Sequence, residues 1–392
     1  MTLSDIEIKG FRSIRKIRFP LRRLTVLVGA NGVGKTNLYR SLELLHAAAK
    51  GNLADEIARE GGLGSIFWAG GKNLTTDGSF DPKYRTDGYR KGEASRLSLE
   101  VRLEGLGDGG DFAPTYRIEL GFPQRGASAA FLNEAQVKAE TLELRGARTV
   151  RLMERKGGAV WARDSEGRRE LVDDTILASE TALAGLRGSH PEIDAVRHAL
   201  GNWRFFHGFG TDADSLLRRP ARAITSPLLA ADGSNLAAVF ATLRHIREDT
   251  VDLDAAIDAA FPGARLEVPL PEEFASFSMV FPDMPKREFR AHELSDGTLQ
   301  FLALMGALLS YRLPPFVALN EPETSLHPSL LPALARTIAK AAERSQIWVV
   351  THSQLLADAI GAESGSVPRE VIRTEDGTWI KGLNHLGLFD ED

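Results

Sequence analysis

The sequence contains no cysteine, which removes disulfides, thiolate zinc sites, cysteine nucleophiles and iron–sulfur clusters together. It also lacks an excess of positive charge. With 53 acidic against 48 basic side chains the net charge is -5, which argues against a wholly basic nucleic-acid coat and leaves only a local basic patch. No uncharged apolar run reaches the roughly 18 residues of a membrane helix, and the opening MTLSDIEIKGFRSIRKIRFP alternates polar and apolar residues where a signal peptide needs an unbroken apolar stretch. A cytoplasmic protein without a membrane segment is expected. Internal repeats, low-complexity tracts and heptads long enough for a coiled-coil arm are missing as well. What is present is an ordinary globular balance, 43% hydrophobic and 26% charged over 392 residues. At about 150 residues per domain that makes two or three folding units.

The pattern changes several times along the chain. Asp5 to Ile8, Ile14 to Phe19 and Leu24 to Val28 read as short strands, the last an unbroken aliphatic run of the kind found in a buried strand. A glycine-rich turn follows. From Thr36 the period becomes helical, with Leu38, Leu42 and Leu45 on one face and a stop near Gly51. Residues 52 to 95, rich in glycine, are expected to be loops. From Arg96 to Val172 a period of two, broken by Gly and Pro, predicts an antiparallel meander, and from Asp173 to about Ala260 helices dominate. The helix opened by LSDGT is apolar on nearly every face and so predicted to be buried. FVAL and IWVV are short apolar runs typical of central parallel strands, and VIRTEDGTWIKGL closes as a hairpin. The expected fold is α/β, with a core from 1–50 and 291–392, a β lobe at 96–172 and a mainly helical insertion at 173–290.

Four constellations carry chemistry. Gly29-Ala30-Asn31-Gly32-Val33-Gly34-Lys35-Thr36, between a buried strand and an amphipathic helix, matches the phosphate-binding loop. Its glycines let N–H groups converge on phosphates, Lys35 reaches the outer phosphates, Thr36 offers a hydroxyl to magnesium, and Asn37 follows in the first helical turn. Ser295-Asp296-Gly297 opens the buried helix and reads equally as a plain N-cap or as a second anion-binding helix start. Phe316 to Leu319 ends in Asn320-Glu321-Pro322-Glu323, where polar groups at a strand end suit magnesium and a water-orienting carboxylate, with a solvated turn as the bland alternative. Ile347 to Val350 ends in Thr351-His352-Ser353, where His352 is either structural or aimed at a terminal phosphate.

In that order these motifs resemble an ABC-type ATPase head. The Gly10-Phe11-Arg12-Ser13-Ile14 opening and the EPETSLHP wording are similar to the RecF, SMC and OLD-like branch, in particular its stand-alone bacterial ATPases. The resemblance implies ATP and Mg2+ as cofactors, two chains sandwiching two ATP molecules, and a fold with a mainly parallel central sheet. It implies that Ser295 and Gly297 contact the γ phosphate held by the other protomer, that Glu321 polarises the attacking water, that His352 is the switch histidine, and that Arg12 lies near the phosphates. Thr36 and Asn320 would hold the metal, and Ser325 to Pro328 would cross the dimer interface. Asn320 stands where the branch has an aspartate, and Gln136 is a candidate for the magnesium-sensing glutamine, with a solvent-facing strand residue as its other reading.

The stretch between Lys35 and Leu294 is longer than a transporter subunit would need, and the chain after His352 leaves no room for the nuclease domain of OLD-like proteins. Any nuclease activity is therefore expected from a partner. Trp203-Arg-Phe-Phe206-His-Gly-Phe209 reads as a buried strand or a base-stacking surface. The basic clusters Arg12 to Arg23 and Arg218 to Arg222 read as solvated surface or phosphate contacts. The expected function is ATP hydrolysis by a homodimer in DNA maintenance or anti-phage defence, acting on DNA or on an effector protein such as a nuclease. The alternative is a nucleotide-gated switch with negligible turnover.

Overall fold

The computed structural model describes residues 1–68, 96–107, 110, 112–123, 131, 133–146, 148–164, 166–173, 175–188 and 190–390. The chain divides into two compact units, one of Met1–Arg22, Ala30–Trp203 and Glu370–Asp392, the other of Arg23–Gly29 and Arg204–Arg369.

The second unit is built on four parallel strands in the order Arg204–Phe206, Phe316–Asn320, Gln346–Thr351 and Leu24–Val28. Strands covered on both faces must be apolar throughout, which is why FVAL, IWVV and LTVLV contain almost no polar residue. The register sets Asn320 beside Val350 and Thr351 beside Val28, so three strands end side by side. Helices Asp296–Leu309, Leu331–Ala342 and Gln354–Ser364 cover the sheet. The first is buried at every residue from Thr298 to Leu309, as its all-round apolar sequence predicts. Leu236 packs so close to it that a Cβ on Gly306 would lie 2.4 Å from the leucine's Cδ1. Pro332 falls in the first turn of its helix, where its missing N–H costs nothing. WRFFHGF supplies the edge strand: Phe205 packs on Phe316 at 6.2 Å between ring centroids and Phe206 on Phe209 at 5.7 Å, so these rings serve the core rather than stacking bases.

The first unit carries an antiparallel sheet. Hairpin Thr2–Phe11 with Ile14–Pro20 continues through Arg96–Glu104, Ala113–Gly121, Gln136–Arg145, Thr149–Lys156, Ala159–Arg163 and Arg169–Asp173, each paired with the next. The alternating pattern of the meander is thus the pattern of one sheet that begins at the N-terminal hairpin. At the hairpin's other side lies Gly377–Ile380, paired with Arg369–Thr374. Helix Lys35–Lys50 belongs to this unit. Residues 52 to 95 depart from the loop expectation: Leu53–Arg59 and Leu63–Ile66 are helical, anchored by buried Leu53, Ile57, Leu63 and Ile66. The remainder of that segment, 69–95, lies outside the described residues. Inside the sheet Glu140 is fully buried and accepts hydrogen bonds from the Tyr116 hydroxyl and the N–H groups of Ala182 and Leu183. Burial pushes its carboxyl above the usual carboxylate range. Among the described residues no helix is long and apolar enough to cross a membrane.

Candidate functional site

Leu24–Val28 is buried along its whole length and delivers the chain to Gly29. Two glycines of the following loop take left-handed backbone angles, Gly32 at φ 80° and Gly34 at φ 104°, which a side chain would resist. Gly34 occupies the N-cap position of Lys35–Lys50, so no side chain caps that helix, and no acidic residue stands in its first turn. Asn31, Gly32 and Thr36 are exposed, whereas Lys35 is buried and its Nζ donates to the Ala30 carbonyl at 2.9 Å.

The loop is braced from distant parts of its own unit. Thr378 Oγ1 donates to the Val33 carbonyl at 2.8 Å and lies 2.7 Å from Ser13 Oγ, which in turn accepts from Asn37 Nδ2 at 2.6 Å. A Cβ on Gly34 would come within 1.9 Å of Thr378 Oγ1 and 2.5 Å of Ser13 Oγ. Arg12 takes a left-handed φ of 46°, and its guanidinium pairs with Glu60 at 2.6 Å. The same Glu60 lies 3.6 Å from Arg40. Arg15 and Arg18 pair with Asp376 and Asp5.

In the other unit the parallel strand ends gather the second group. Glu321 leaves its strand with φ 49°, an uncommon conformation for a residue with a Cβ, fixed by its N–H donating to Val350 O at 2.7 Å. Asn320 Oδ1 is buried and has no hydrogen-bond partner among the described residues. Glu323 is only 7% exposed. Its Oε1 accepts from the Thr351 hydroxyl, from the N–H of His352 at 3.0 Å and from the N–H of Ser353 at 3.1 Å. His352 Nδ1 stands 3.1 Å from that oxygen and 3.9 Å from Glu321 Oε2.

Ser295 is exposed and caps the buried helix, accepting from Thr298 N at 3.2 Å. A Cβ on Gly297 would lie 2.9 Å from the Ser325 carbonyl, so glycine lets the 325–328 loop close against the helix start. Ser325 itself has a φ of 66°. Arg218 fastens this region: it donates to the carbonyls of His292 and Leu294 and pairs with Asp296 at 2.7 Å. Gln136 begins a meander strand and accepts from Lys138 Nζ at 2.8 Å, in keeping with its strand reading.

The structure thus places Gly29, Asn31, Gly32, Gly34, Lys35, Thr36 and Asn37 in one loop and helix start. In the other unit it sets Asn320, Glu321 and His352 at neighbouring strand ends, and Ser295 and Gly297 at a helix start. Sequence reasoning gave no role to Thr378 or to Glu323, the second carboxylate of the NEPE tetrad, and it read Arg218, in the basic cluster Arg218 to Arg222, as solvated surface or a phosphate contact rather than as the brace on Asp296.

The loop and helix start of the first unit suit a phosphate group. An uncapped helix start with left-handed glycines is an anion cradle. Magnesium takes one or two protein oxygens beside phosphates and water; in the other unit the buried Asn320 Oδ1, without a partner among the described residues, has the chemistry of such a ligand.

Residues 24–358 match the family described as "AAA domain, putative AbiEii toxin, Type IV TA system". No curated protein matches the chain. Among solved structures it is similar to an SMC head bound to the C-terminal winged-helix domain of ScpA, with TM-score 0.55, 16% identity and 97% of each chain covered. An SMC head with an extended coiled coil, bound to the C-terminal domain of ScpA derived from Pyrococcus furiosus, gives TM-score 0.50 and 14% identity over 97% of this chain and 95% of that one. A head with a coiled coil and joint derived from Pyrococcus yayanosii gives 0.50 and 11% over 98% of each. At such identities the likeness is one of fold, the α/β P-loop ATPase head of the SMC kind.

Proposed function

The chain belongs to the AAA-domain family that matches residues 24–358, and we propose that it is an ATP-binding and ATP-hydrolysing head that dimerises around ATP in the cytoplasm. The observation that carries this reading is the uncapped helix start at Gly34, with a buried lysine next to it and no acid in the first turn. Gly29 to Gly34 and Lys35 would hold the phosphates and Asn37 would fix the loop through Ser13. Thr36 and Asn320 would hold magnesium, whose part is to neutralise charge that develops on the phosphates. Glu321 would orient water and take its proton. His352 would contact the terminal phosphate, and Ser295 and Gly297 would complete the other protomer's site. In this reading 1–50 and 291–392 do the chemistry, while 96–172 and 173–290 adapt it to a client in DNA maintenance or anti-phage defence. Arg12, Arg15, Arg18 and Arg218 are paired with carboxylates, which leaves less free positive charge for a duplex and favours a protein effector as the direct client over DNA.

The test is assembly. Glu321→Gln keeps the side chain's shape and slows hydrolysis, so ATP with magnesium should accumulate a dimer in light scattering, and Ser295→Arg should abolish it. A monomer under all ATP conditions overturns the sandwich. Asn320 supports a second reading, a nucleotide-gated switch with negligible turnover, because an amide offers an oxygen to a cation but no formal charge. Steady-state hydrolysis separates the two: measurable turnover by the wild type supports the enzyme, and dimerisation without turnover supports the switch.

A further inference from the structure

We infer that Glu323 is a positioning residue that fixes the tautomer and orientation of His352. The inference rests on the reading of His352 as the phosphate-contacting histidine for its consequence, though not for its geometry.

A buried carboxylate needs donors on all sides, and Glu323 Oε1 finds them in one short stretch: the Thr351 hydroxyl and the N–H groups of His352 and Ser353. Those N–H groups sit at the entrance of helix Gln354–Ser364, where the aligned peptides favour negative charge. Oε2 is buried too and has no partner among the described residues, so the carboxylate is committed to this turn through a single oxygen.

His352 Nδ1 lies 3.1 Å from that same oxygen, an ion-pair contact without the alignment of a full hydrogen bond. An ionised carboxylate only accepts, so the contact is favourable only when Nδ1 carries a proton. Free imidazole divides its proton between the two nitrogens, and a partner on one of them decides which is protonated. The charge of Glu323 therefore favours the proton on Nδ1 and leaves Nε2 bare in a ring whose side chain is 44% exposed. Glu321, 3.9 Å from the same Nδ1, reinforces the assignment without competing for it.

A purely structural Glu323 would also anchor the turn, so the experiment must read the ring. Nitrogen-15 shifts of the histidine side chains, recorded without nucleotide at about pH 8.5, above the ordinary histidine range, report each tautomer. His352 is assigned by the signal lost in His352→Asn. The wild type is expected to show protonated Nδ1 and bare Nε2. Glu323→Gln should move His352 toward the Nε2-protonated form. Thr351→Val, which removes another donor to the same oxygen and leaves the imidazole contact, should not. Where hydrolysis is measurable, Glu323→Gln should lower kcat by about 10- to 100-fold, the usual effect of losing an outer partner of a reacting group, with KM little changed. In a His352→Ala background it should add nothing. An Nε2-protonated His352 in the wild type, or an unchanged tautomer in Glu323→Gln, overturns the proposal. The wild-type spectrum decides even if the variant does not fold. Absence of turnover in a wild type with the expected tautomer overturns the hydrolytic reading and leaves the role of Glu323 standing.

Discussion

Two helix starts in this molecule are built to opposite plans. Lys35–Lys50 begins at a left-handed glycine, with no capping side chain and no acid in its first turn. Asp296–Leu309 begins at Ser295, whose hydroxyl already satisfies Thr298 N–H, and carries Asp296 in its first turn, paired with Arg218. The first four N–H groups of a helix are orphans that a side chain, water or a ligand must satisfy. The first start offers them no capping side chain. The second fills part of that demand internally, and Asp296 offsets the dipole that would attract phosphate. In the proposed reading the first serves as the primary anion cradle and the second as a secondary contact that completes a site already holding its charge.

The comparison breaks most sharply at Gly34. Alanine there would have to adopt φ 104° and drive its Cβ to 1.9 Å from Thr378 Oγ1. Strain of about 3 kcal/mol corresponds to about a 100-fold loss of ATP affinity, measurable by titration with a fluorescent nucleotide. Gly32→Ala is the control. Its φ is 80° but nothing lies within 4 Å of the added Cβ, so only the backbone term of about 1 kcal/mol remains. Equal losses in the two variants would mean that the Thr378 brace is not what shapes the loop.

A smaller effect is expected at Gly297. A Cβ there meets the Ser325 carbonyl at 2.9 Å, and backbone yields less readily than a side-chain tip, so an overpacking cost of about 1–2 kcal/mol follows. The cost falls on the loop at 325–328 and leaves the phosphate loop alone. Gly297→Ala should therefore weaken ATP-dependent dimerisation about tenfold while monomer ATP binding stays within error. A parallel loss of nucleotide binding would contradict the division of labour between the two helix starts.

The first start was fully legible in the sequence, because its residues are contiguous and flanked by a buried strand and an amphipathic helix. The parallel strands were legible for a similar reason, since burial on both faces leaves no polar position. The braces were not. Thr378 reaches Val33 across 345 residues and Arg218 reaches Asp296 across 78, and no local period encodes such pairs. Helices Leu53–Arg59 and Leu63–Ile66 were hidden because two or three buried side chains suffice to dock a short helix, while the glycines around them read as loop. That the meander begins at the N-terminal hairpin was hidden too, because alternation shows that a strand has two faces but not which strand lies beside it.

The finest distinction is between Ser295 as a cap and Ser295 as a contact. Ser353 serves as its reference, capping Gln354–Ser364 by accepting from Leu356 N at 3.2 Å, as Ser295 does from Thr298 N at 3.2 Å. Removing either hydroxyl should cost about 1 kcal/mol of stability, a fall in Tm of about 2–4 °C, nearly equal in Ser295→Ala and Ser353→Ala. The two should part only in the presence of ATP. If the Ser295 hydroxyl also meets the phosphate held by the partner, Ser295→Ala should weaken the ATP-dependent dimer by a further fewfold beyond anything Ser353→Ala does, both measured in the Glu321→Gln background by light scattering. Equal dimer affinities at equal Tm would reduce Ser295 to a cap and leave the second helix start to contribute through Gly297 and the shape of the 325–328 loop.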